Sequence, residues 1–271
     1  TSAGIDGGAG LAVSAATYNA SPDLSTTGAV SLPAGVLGDL TVTSGALSLA
    51  GPSTAMSATV SSGALSLGGN LTVSGAVSND GTIAVGGNAF AFAGYAGNAD
   101  TVTSNSGTIV NTGAASTISN LTVTTGATLD GGAGLAVSAA TYNASPDLTT
   151  AGTVSLPAGA LGDLAVTNGD LSLAGPGTAA SATVSAGSLS LGGDLTVSGS
   201  VSNNGTIAVG GNAFAFAGYA GTADTVTTNS GTIANSGAAS TISNLTVTTG
   251  ASLDGGVNGL AVTAAVTGNL V

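Results

Sequence analysis

The sequence contains no lysine, arginine, histidine, cysteine, tryptophan, glutamate or glutamine. All twelve charged side chains are therefore aspartates, and the net charge is −12 over 271 residues. Without cysteine there is no disulfide framework and no thiolate chemistry. A chain with only negative charge repels nucleic-acid phosphates and anionic lipid headgroups. We therefore expect no nucleic acid and no anionic membrane surface as a partner.

The same absences restrict catalysis. A serine nucleophile needs a neighbouring base, and aspartate is the one base that this composition offers. A pair of carboxylates can hydrolyse a polysaccharide, as in some β-helix enzymes. The aspartates are scattered along the chain, however, for example at Asp39, Asp80 and Asp100. We expect no enzyme activity, and a carbohydrate-active β-helix enzyme is the last of three functional alternatives.

Long apolar runs are also missing. No stretch approaches the roughly 18 apolar residues that a membrane-spanning helix needs, so we expect no membrane insertion. The first ten residues lack the basic start and apolar run of a signal peptide, which fits a chain that begins after processing or inside a longer one. Because there is no lysine or arginine, a trypsin-type protease has no cleavage site. These features favour a secreted or cell-surface location.

The residues that are present have mostly short side chains, and the sequence repeats itself. Glycine accounts for 46 residues, more than twice its usual share. Valine, isoleucine and threonine are plentiful, which indicates a folded chain. Residues 5–128 recur as residues 129–252 with twenty differences in 124 positions, and residues 253–271 begin a divergent third copy. We expect one continuous structure over residues 1–271.

A shorter period lies inside each long repeat. Pairs of apolar residues at positions i and i+2 recur at a spacing of about 18 residues, and two such side chains leave a strand on the same face. Glycine follows most pairs and permits a tight turn. The pattern predicts an all-β parallel β-solenoid with coils of about 18 residues. The alternative is a tandem pair of β-sandwich domains. The pairs are Leu47/Leu49, Leu65/Leu67 and Ile83/Val85, with Leu40/Val42 and Ala58/Val60 in a second set.

Residues 69–85, Gly-Asn-Leu-Thr-Val-Ser-Gly-Ala-Val-Ser-Asn-Asp-Gly-Thr-Ile-Ala-Val, resemble repeats in the passenger and stalk regions of autotransporter and filamentous-haemagglutinin-type bacterial surface proteins. The segments Asn105–Ile109 and Asn203–Ile207 are similar to them as well. The resemblance covers most of the chain and is compositional. It implies a right-handed parallel β-helix on the cell surface. The chain departs from those families in lacking lysine, arginine, glutamate and glutamine.

Two sets of residues are candidate sites. Asp130 and Asp194 lie beside glycines and are weak Ca²⁺ candidates; no other cofactor is expected. Alternating aromatics recur in both repeats, and either they fill the core or they form an exposed patch where another subunit docks. The candidate inter-subunit patch consists of Phe90, Phe92, Tyr95, Phe214, Phe216 and Tyr219.

Outward threonine pairs raise a further alternative. Regular Thr-x-Thr rows on a flat solenoid face can bind ice, and Thr41/Thr43 and Thr122/Thr124 fit that spacing. The intervening segments suggest that these pairs are not on successive coils, which disfavours an ice-binding face.

Taken together, these features predict a structural extracellular protein that assembles with copies of itself into a filament, sheath or surface layer. The exposed strand edges of a solenoid can template another subunit. The stalk of a bacterial adhesin is the second alternative, in which a carbohydrate or another cell-surface ligand is the partner.

Overall fold

A computed structural model describes residues 10–13, 24–97, 100–124, 126–142, 148–150, 152–157, 159–222, 224–228 and 230–263. Every regular element in these ranges is a β-strand, and none is a helix. The chain divides into two compact units, residues 1–143 (unit 1) and 144–271 (unit 2). The division falls beyond the end of the first repeat at residue 128, because strands at residues 116–123 and 135–142 pair with each other. Asp6 and Tyr18, which open the repeat pattern, lie outside the described residues.

Unit 1 consists of short strands, most of them three to five residues long. They are β1 (Leu11–Ala12), β2 (Leu24–Thr26), β3 (Ala29–Leu32), β4 (Gly35–Val36), β5 (Asp39–Val42), β6 (Ala46–Leu49), β7 (Ser53–Ala55), β8 (Ser57–Val60), β9 (Ala64–Leu67), β10 (Leu71–Asn79), β11 (Thr82–Gly86), β12 (Ala89–Ala96), β13 (Thr101–Ser104), β14 (Thr108–Asn111), β15 (Ser116–Val123), β16 (Ala127–Asp130) and β17 (Leu135–Tyr142).

Unit 2 repeats this order. Its strands are β18 (Leu148–Thr150), β19 (Val154–Leu156), β20 (Asp163–Val166), β21 (Asp170–Leu173), β22 (Gly177–Ala179), β23 (Ser181–Val184), β24 (Ser188–Leu191), β25 (Leu195–Asn203), β26 (Thr206–Gly210), β27 (Ala213–Ala220), β28 (Thr225–Thr228), β29 (Thr232–Asn235), β30 (Ser240–Ile242), β31 (Asn244–Val247), β32 (Ser252–Asp254) and β33 (Leu260–Val262).

Each coil contributes to three parallel sheets, which we call faces I, II and III. In unit 1, face I contains β2, β5, β8 and the C-terminal parts of β10 and β12. Face II contains β1, β3, β6, β9, β11, β13 and the C-terminal parts of β15 and β17. Face III contains β4, β7, the N-terminal parts of β10 and β12, then β14 and β16. Unit 2 has the same three faces.

The structure confirms the predicted β-solenoid. Every strand pairing among the described residues is parallel, whereas a sandwich would pair its strands antiparallel. Leu47 lies beside Leu65, and Leu65 lies beside Ile83 on the next coil. On face I, Leu40 pairs with Ala58 in the same way. The alternative of tandem β-sandwiches is therefore wrong.

The coil length is less uniform than the sequence pattern suggests. On face II, Val30 pairs with Leu47, Leu47 with Leu65, and Ile83 with Val102, so the later coils are longer than the earlier ones. The longer coils absorb the extra residues at the corners and at the register shift in β11, between Ala84 and Gly86. Continuity of the stack from unit 1 into unit 2 stays a prediction.

Alternation within each strand builds the core. In Leu-Thr-Val segments such as residues 71–73, Leu71 and Val73 are 1% and 0% exposed, while Thr72 between them is exposed. Because parallel pairing repeats the register from coil to coil, inward residues form continuous apolar columns. Burying one Leu or Val side chain stabilises the fold by roughly 1.5–3 kcal/mol, so the columns supply most of the driving force.

Glycines stack at the corner between faces I and II. A Cβ on Gly63 would overlap the carbonyl oxygen of Gly45, and one on Gly81 would overlap that of Gly63. The backbone of one coil therefore lies directly against the backbone of the next, and glycine leaves room for that approach. Unit 2 has the same ladder; there Gly187 also has a positive φ of 85°.

We predict that Gly63→Ala lowers the free energy of unfolding by about 1–3 kcal/mol or more, since the added methyl group overpacks the corner. Gly94→Ala is the matched control, because a Cβ there meets nothing within 4 Å. We expect the control to stay within about 0.5 kcal/mol of the wild type. Urea unfolding followed by circular dichroism measures both changes, and equal stability of the two variants would contradict the ladder.

Candidate functional site

The six candidate aromatic residues are interior. Phe90 and Phe92 are both 0% exposed and Tyr95 is 5% exposed. The ring centroids of Phe90 and Phe92 are 5.1 Å apart, and those of Phe92 and Tyr95 are 5.3 Å apart. Unit 2 repeats the cluster, with Phe214 and Phe216 each 0% exposed and Tyr219 5% exposed. The interpretation of Phe90, Phe92, Tyr95, Phe214, Phe216 and Tyr219 as an exposed inter-subunit patch is therefore wrong. Their alternation on β12 and β27 points these side chains into the coil, where they fill the core.

A chain of buried polar side chains adjoins the aromatic cluster in unit 1. The Nδ2 group of Asn79 donates to the hydroxyl of Tyr95 at 2.7 Å, and that hydroxyl donates to Oδ2 of Asp100 at 2.8 Å. The backbone N–H of Ser119 donates to the other carboxylate oxygen, Oδ1, at 3.0 Å. Asn79 and Asp100 are both 0% exposed. The network thus joins three successive coils.

Unit 2 contains the same network. Asn203 donates to the Tyr219 hydroxyl at 2.8 Å, and Tyr219 donates to Oδ2 of Asp224 at 2.9 Å. The N–H of Ser243 donates to both oxygens of Asp224, at 3.1 and 3.2 Å. The chain has no cationic side chain with which to pair a buried carboxylate, so neutral donors satisfy its oxygens. The two hydrogen-bond networks, one in each unit, connect adjacent coils.

Burial raises the pKa of the Tyr95 and Tyr219 hydroxyls far above its ordinary value, and the nearby Asp100 and Asp224 carboxylates raise it further. The hydrogen bonds from Asn79 and Asn203 oppose this shift. Burial also raises the pKa of Tyr142 to about 12. The Tyr95 and Tyr219 hydroxyls are therefore protonated at neutral pH and donate to Asp100 and Asp224.

Corner asparagines form a second set of interior polar residues, which the sequence analysis did not single out. The side-chain amide of Asn111 donates to the carbonyls of Ala114 and Gly134, both at 2.8 Å. Asn111 is one of four such asparagines. In all four, the side-chain Oδ1 accepts a hydrogen bond from the backbone N–H of the glycine two residues later, at 2.9–3.2 Å. The signal available in the sequence was Asn-x-Gly at the end of a strand. The four pairs are Asn79/Gly81, Asn111/Gly113, Asn203/Gly205 and Asn235/Gly237.

The two calcium candidates lie at turns. Oδ1 of Asp130 accepts from the N–H of Gly132 at 3.1 Å, and Oδ1 of Asp194 accepts from the N–H of Ala213 at 2.8 Å. No group of three or more acidic side chains gathers around a common point in the described part of the chain. Ca²⁺ takes six to eight oxygen ligands, so a site at either residue would need oxygens from water or from another molecule. Calcium binding stays a prediction.

The described aspartates are dispersed. Within each unit the exposed carboxylates of the described residues occupy different faces or different coils. Asp39 and Asp163 begin face I strands, Asp80 follows one, Asp170 begins a face II strand, Asp194 precedes a face III strand, Asp130 and Asp254 end face III strands, and Asp100 and Asp224 are buried.

The outward threonines lie on more than one face. Thr41 is on face I, where it pairs with Ser25 and Thr59. On face II, Thr122 pairs with Thr103 and Thr141. Threonine thus recurs on three successive coils in this one column, whereas the Thr-x-Thr pair does not, since Asn105 stands two residues after Thr103. Serine and alanine occupy the other positions of that column.

The outer surface of face II in unit 1 is the most distinctive surface in the described structure. Its outward side chains from Ala29 to Thr122 are alanine, serine, threonine and asparagine, with none charged. Faces I and III of the same unit carry the exposed Asp39 and the half-buried Asp130, and the exposed Asp80 lies at the corner between faces I and II. We therefore treat face II of unit 1 as the candidate functional surface.

No protein-family model, curated protein or solved structure shows significant similarity to the chain. Among the described residues there is no helix that is long and apolar enough to span a membrane.

We predict that Tyr95→Phe lowers the free energy of unfolding by about 2–3 kcal/mol, because it leaves Oδ2 of the buried Asp100 without its donor. Ser78→Ala, an exposed change on the same strand pair, is the control and should shift stability by less than about 0.5 kcal/mol. Denaturant unfolding curves of the two variants provide the measurement. A Tyr95→Phe variant as stable as the control would mean that the network does not fasten the coils.

Alkaline pH should unfold the protein through its tyrosines. A hydroxyl whose pKa is raised by folding stabilises the fold below its unfolded pKa of about 10, and this stabilisation is lost as the pH rises toward the folded value. Because the chain has no lysine, arginine or cysteine, tyrosine is the one side chain that titrates in this range.

We expect the urea midpoint to be nearly constant from pH 8 to 9 and to fall from about pH 10 upward. The variant carrying both Tyr95→Phe and Tyr219→Phe should show a shallower fall, despite its lower stability at pH 8. Tyrosinate absorbance of the native and unfolded protein follows the ionisation directly. Identical slopes for wild type and variant would exclude these two residues as the cause.

Proposed function

We propose that this protein is a structural subunit, secreted or held at the cell surface, that assembles with copies of itself into a filament, sheath or surface layer. The observation that carries the proposal is the uncharged outer surface of face II in unit 1, built from short side chains. Interiors made of stacked, hydrogen-bonded coils suit a mechanical role. The compositional resemblance to stalk and passenger repeats supports an extracellular location.

Electrostatics restricts how copies can meet. With twelve negative and no positive side chains, two molecules cannot form a salt bridge between side chains, and their net charges repel. Close approach is least costly where no carboxylate lies at the surface. Short serine, threonine and alanine side chains lose little rotamer entropy when they become ordered in a contact.

We predict that assembly increases when the charge is screened or neutralised. The screening length falls from about 10 Å at 0.1 M salt to about 3 Å at 1 M, and a net charge that comes from aspartate alone is lost on acidification below about pH 4. Ordered polymers or sheets should be scarce in dilute buffer at pH 8 and abundant in 1 M NaCl or near pH 3. Negative-stain electron microscopy and sedimentation velocity measure the change.

The same preparations distinguish the alternatives. Isolated particles under every condition would contradict self-assembly and favour an adhesin stalk. Release of sugar from a polysaccharide panel, lost in one Asp→Asn variant, would favour a carbohydrate-active enzyme.

A comparison of CaCl₂ with NaCl at equal ionic strength, in wild type and in Asp194→Asn, tests the calcium prediction. The Asn variant is a safe substitution because Asn70 occupies the equivalent position in the first repeat.

A further inference from the structure

Face II of unit 1 presents two outward columns over six successive coils. Strand pairing places each residue beside its counterpart on the next coil, so the columns are continuous. The first column is Ala29, Ala46, Ala64, Thr82, Thr101 and Asn120, and the second is Ser31, Ser48, Ser66, Ala84, Thr103 and Thr122.

The columns differ in size along their length. The first three coils carry alanine and serine, whereas the last two carry threonine and asparagine. The low end is also the site of a depression of about 430 Å³, whose lining includes Ala29, Ala46, Ser48 and Ser66. A flat face with one low end and one high end is complementary to a copy of itself that runs in the opposite direction.

The hydroxyl groups on this face are available for contacts. Ser48, Ser66 and Thr103 make no side-chain hydrogen bond to another described residue, in contrast to the hydroxyls at the corners. Serine and threonine hydroxyls both donate and accept, so the same groups on two copies can pair without any charge. The face is therefore self-complementary in hydrogen bonding as well as in shape.

Face II of unit 1 differs in charge from face II of unit 2. The position equivalent to Ala46 is Asp170, and its carboxylate accepts from the hydroxyl of Ser188 at 2.6 Å. Unit 2 therefore carries a carboxylate at the beginning of a face II strand. A contact between two such faces would desolvate two carboxylates with no cation to pair them. In unit 1 no outward position of a face II strand from Ala29 to Thr122 carries a carboxylate; the exposed Asp80 lies at the corner before β11, at the rim of the face, where it stays in contact with water.

We propose that face II of unit 1 packs against face II of unit 1 in a second copy, antiparallel, about a two-fold axis that passes near Ala84. Residues 46–48 of one copy then lie opposite residues 120–122 of the other. The inference rests on the proposed function and names the contact through which assembly occurs. An isologous contact of this kind is the commonest form of self-association.

The contact is small. Five strands of each copy overlap about this axis; spaced by about 4.8 Å, with about four residues of width at roughly 3.3 Å, they give about 300 Å² per copy. Stable dimers bury about 800 Å² per partner. The contact is therefore weak and reversible by itself, and it contributes to an ordered assembly when it is repeated along with others. Its test has to be made under conditions in which the wild type assembles.

The first test adds one charge at two matched places. Ala46→Asp with Ala64→Ser recreates the Asp170–Ser188 pair on face II of unit 1. Asn70→Asp adds the same charge off the face, at the position where the second repeat has Asp194; Oδ1 of Asn70 accepts from Ala89 at 2.9 Å just as Oδ1 of Asp194 accepts from Ala213. Both changes copy the other repeat, so both variants should fold.

We expect the face II variant to raise the protein concentration needed for assembly at least about tenfold, because two carboxylates would be buried unpaired at each contact. Asn70→Asp should change that concentration by less than about twofold. Light scattering and sedimentation in 1 M NaCl at pH 8 provide the measurement, with circular dichroism to verify folding. Equal effects of the two variants would overturn the proposed contact.

The second test uses the absence of cysteine. Single cysteines at three neighbouring outward alanines report one face each: Ala84→Cys on face II, Ala76→Cys on face I and Ala91→Cys on face III. Under mild oxidation of the assembled protein, Ala84→Cys should form a disulfide-linked dimer, because the two-fold axis brings both copies of residue 84 together. The other two variants should stay monomeric on a non-reducing gel.

The outcomes separate the two proposals. If the wild type assembles but Ala84→Cys does not crosslink, or if residue 76 or 91 crosslinks in its place, the face II contact is wrong while self-assembly stands. If the wild type remains monomeric at every salt concentration and pH, the proposed function fails as well.

Discussion

Parallel strand pairing between adjacent coils is the interaction on which the rest of each unit depends. It repeats one register along the stack, so a residue type suited to one coil must also suit the next. Inward positions become apolar columns such as Leu47, Leu65 and Ile83. Corner positions become glycine ladders, because successive backbones approach too closely for a Cβ at Gly45 and Gly63. Outward positions become columns too, and on the face II strands of unit 1 from Ala29 to Thr122 all of them are uncharged.

The absence of cations determines how the remaining polar groups are accommodated. A buried carboxylate such as Asp100 would ordinarily be paired with arginine or lysine. Here a tyrosine hydroxyl and a backbone N–H take that place, and an asparagine amide orients the tyrosine in turn. Such a network is directional, because each donor has one acceptor at a fixed position. It fixes the relation between neighbouring coils, whereas the apolar columns alone would tolerate small shifts.

The fold could be predicted from the sequence because each column of stacked residues appears there as a residue type repeated at nearly constant spacing. Apolar residues at i and i+2, repeated at nearly constant spacing, indicate strands stacked in register, and Leu40/Ala58 and Leu47/Leu65 do stack. The aromatic residues were harder to place, since alternation puts Phe90 and Phe92 on one side of a strand without specifying which side. The partnership of Tyr95 with Asp100 and Asn79 was beyond reach, because it joins successive coils whose corners differ in length.

The two repeats are nearly identical, so the few positions at which they differ show where the structure tolerates a change. Interior positions must satisfy neighbours on both sides, so their exchanges are conservative, as between Ser104 and Thr228, whose hydroxyls each accept from a corner glycine. Outward positions are free of that constraint, and there Ala46 is exchanged for Asp170. The same scaffold therefore tolerates either an uncharged or a charged face II. Surface charge can differ between the repeats while the strand pairing is kept, so a contact of the proposed kind can be confined to one of them.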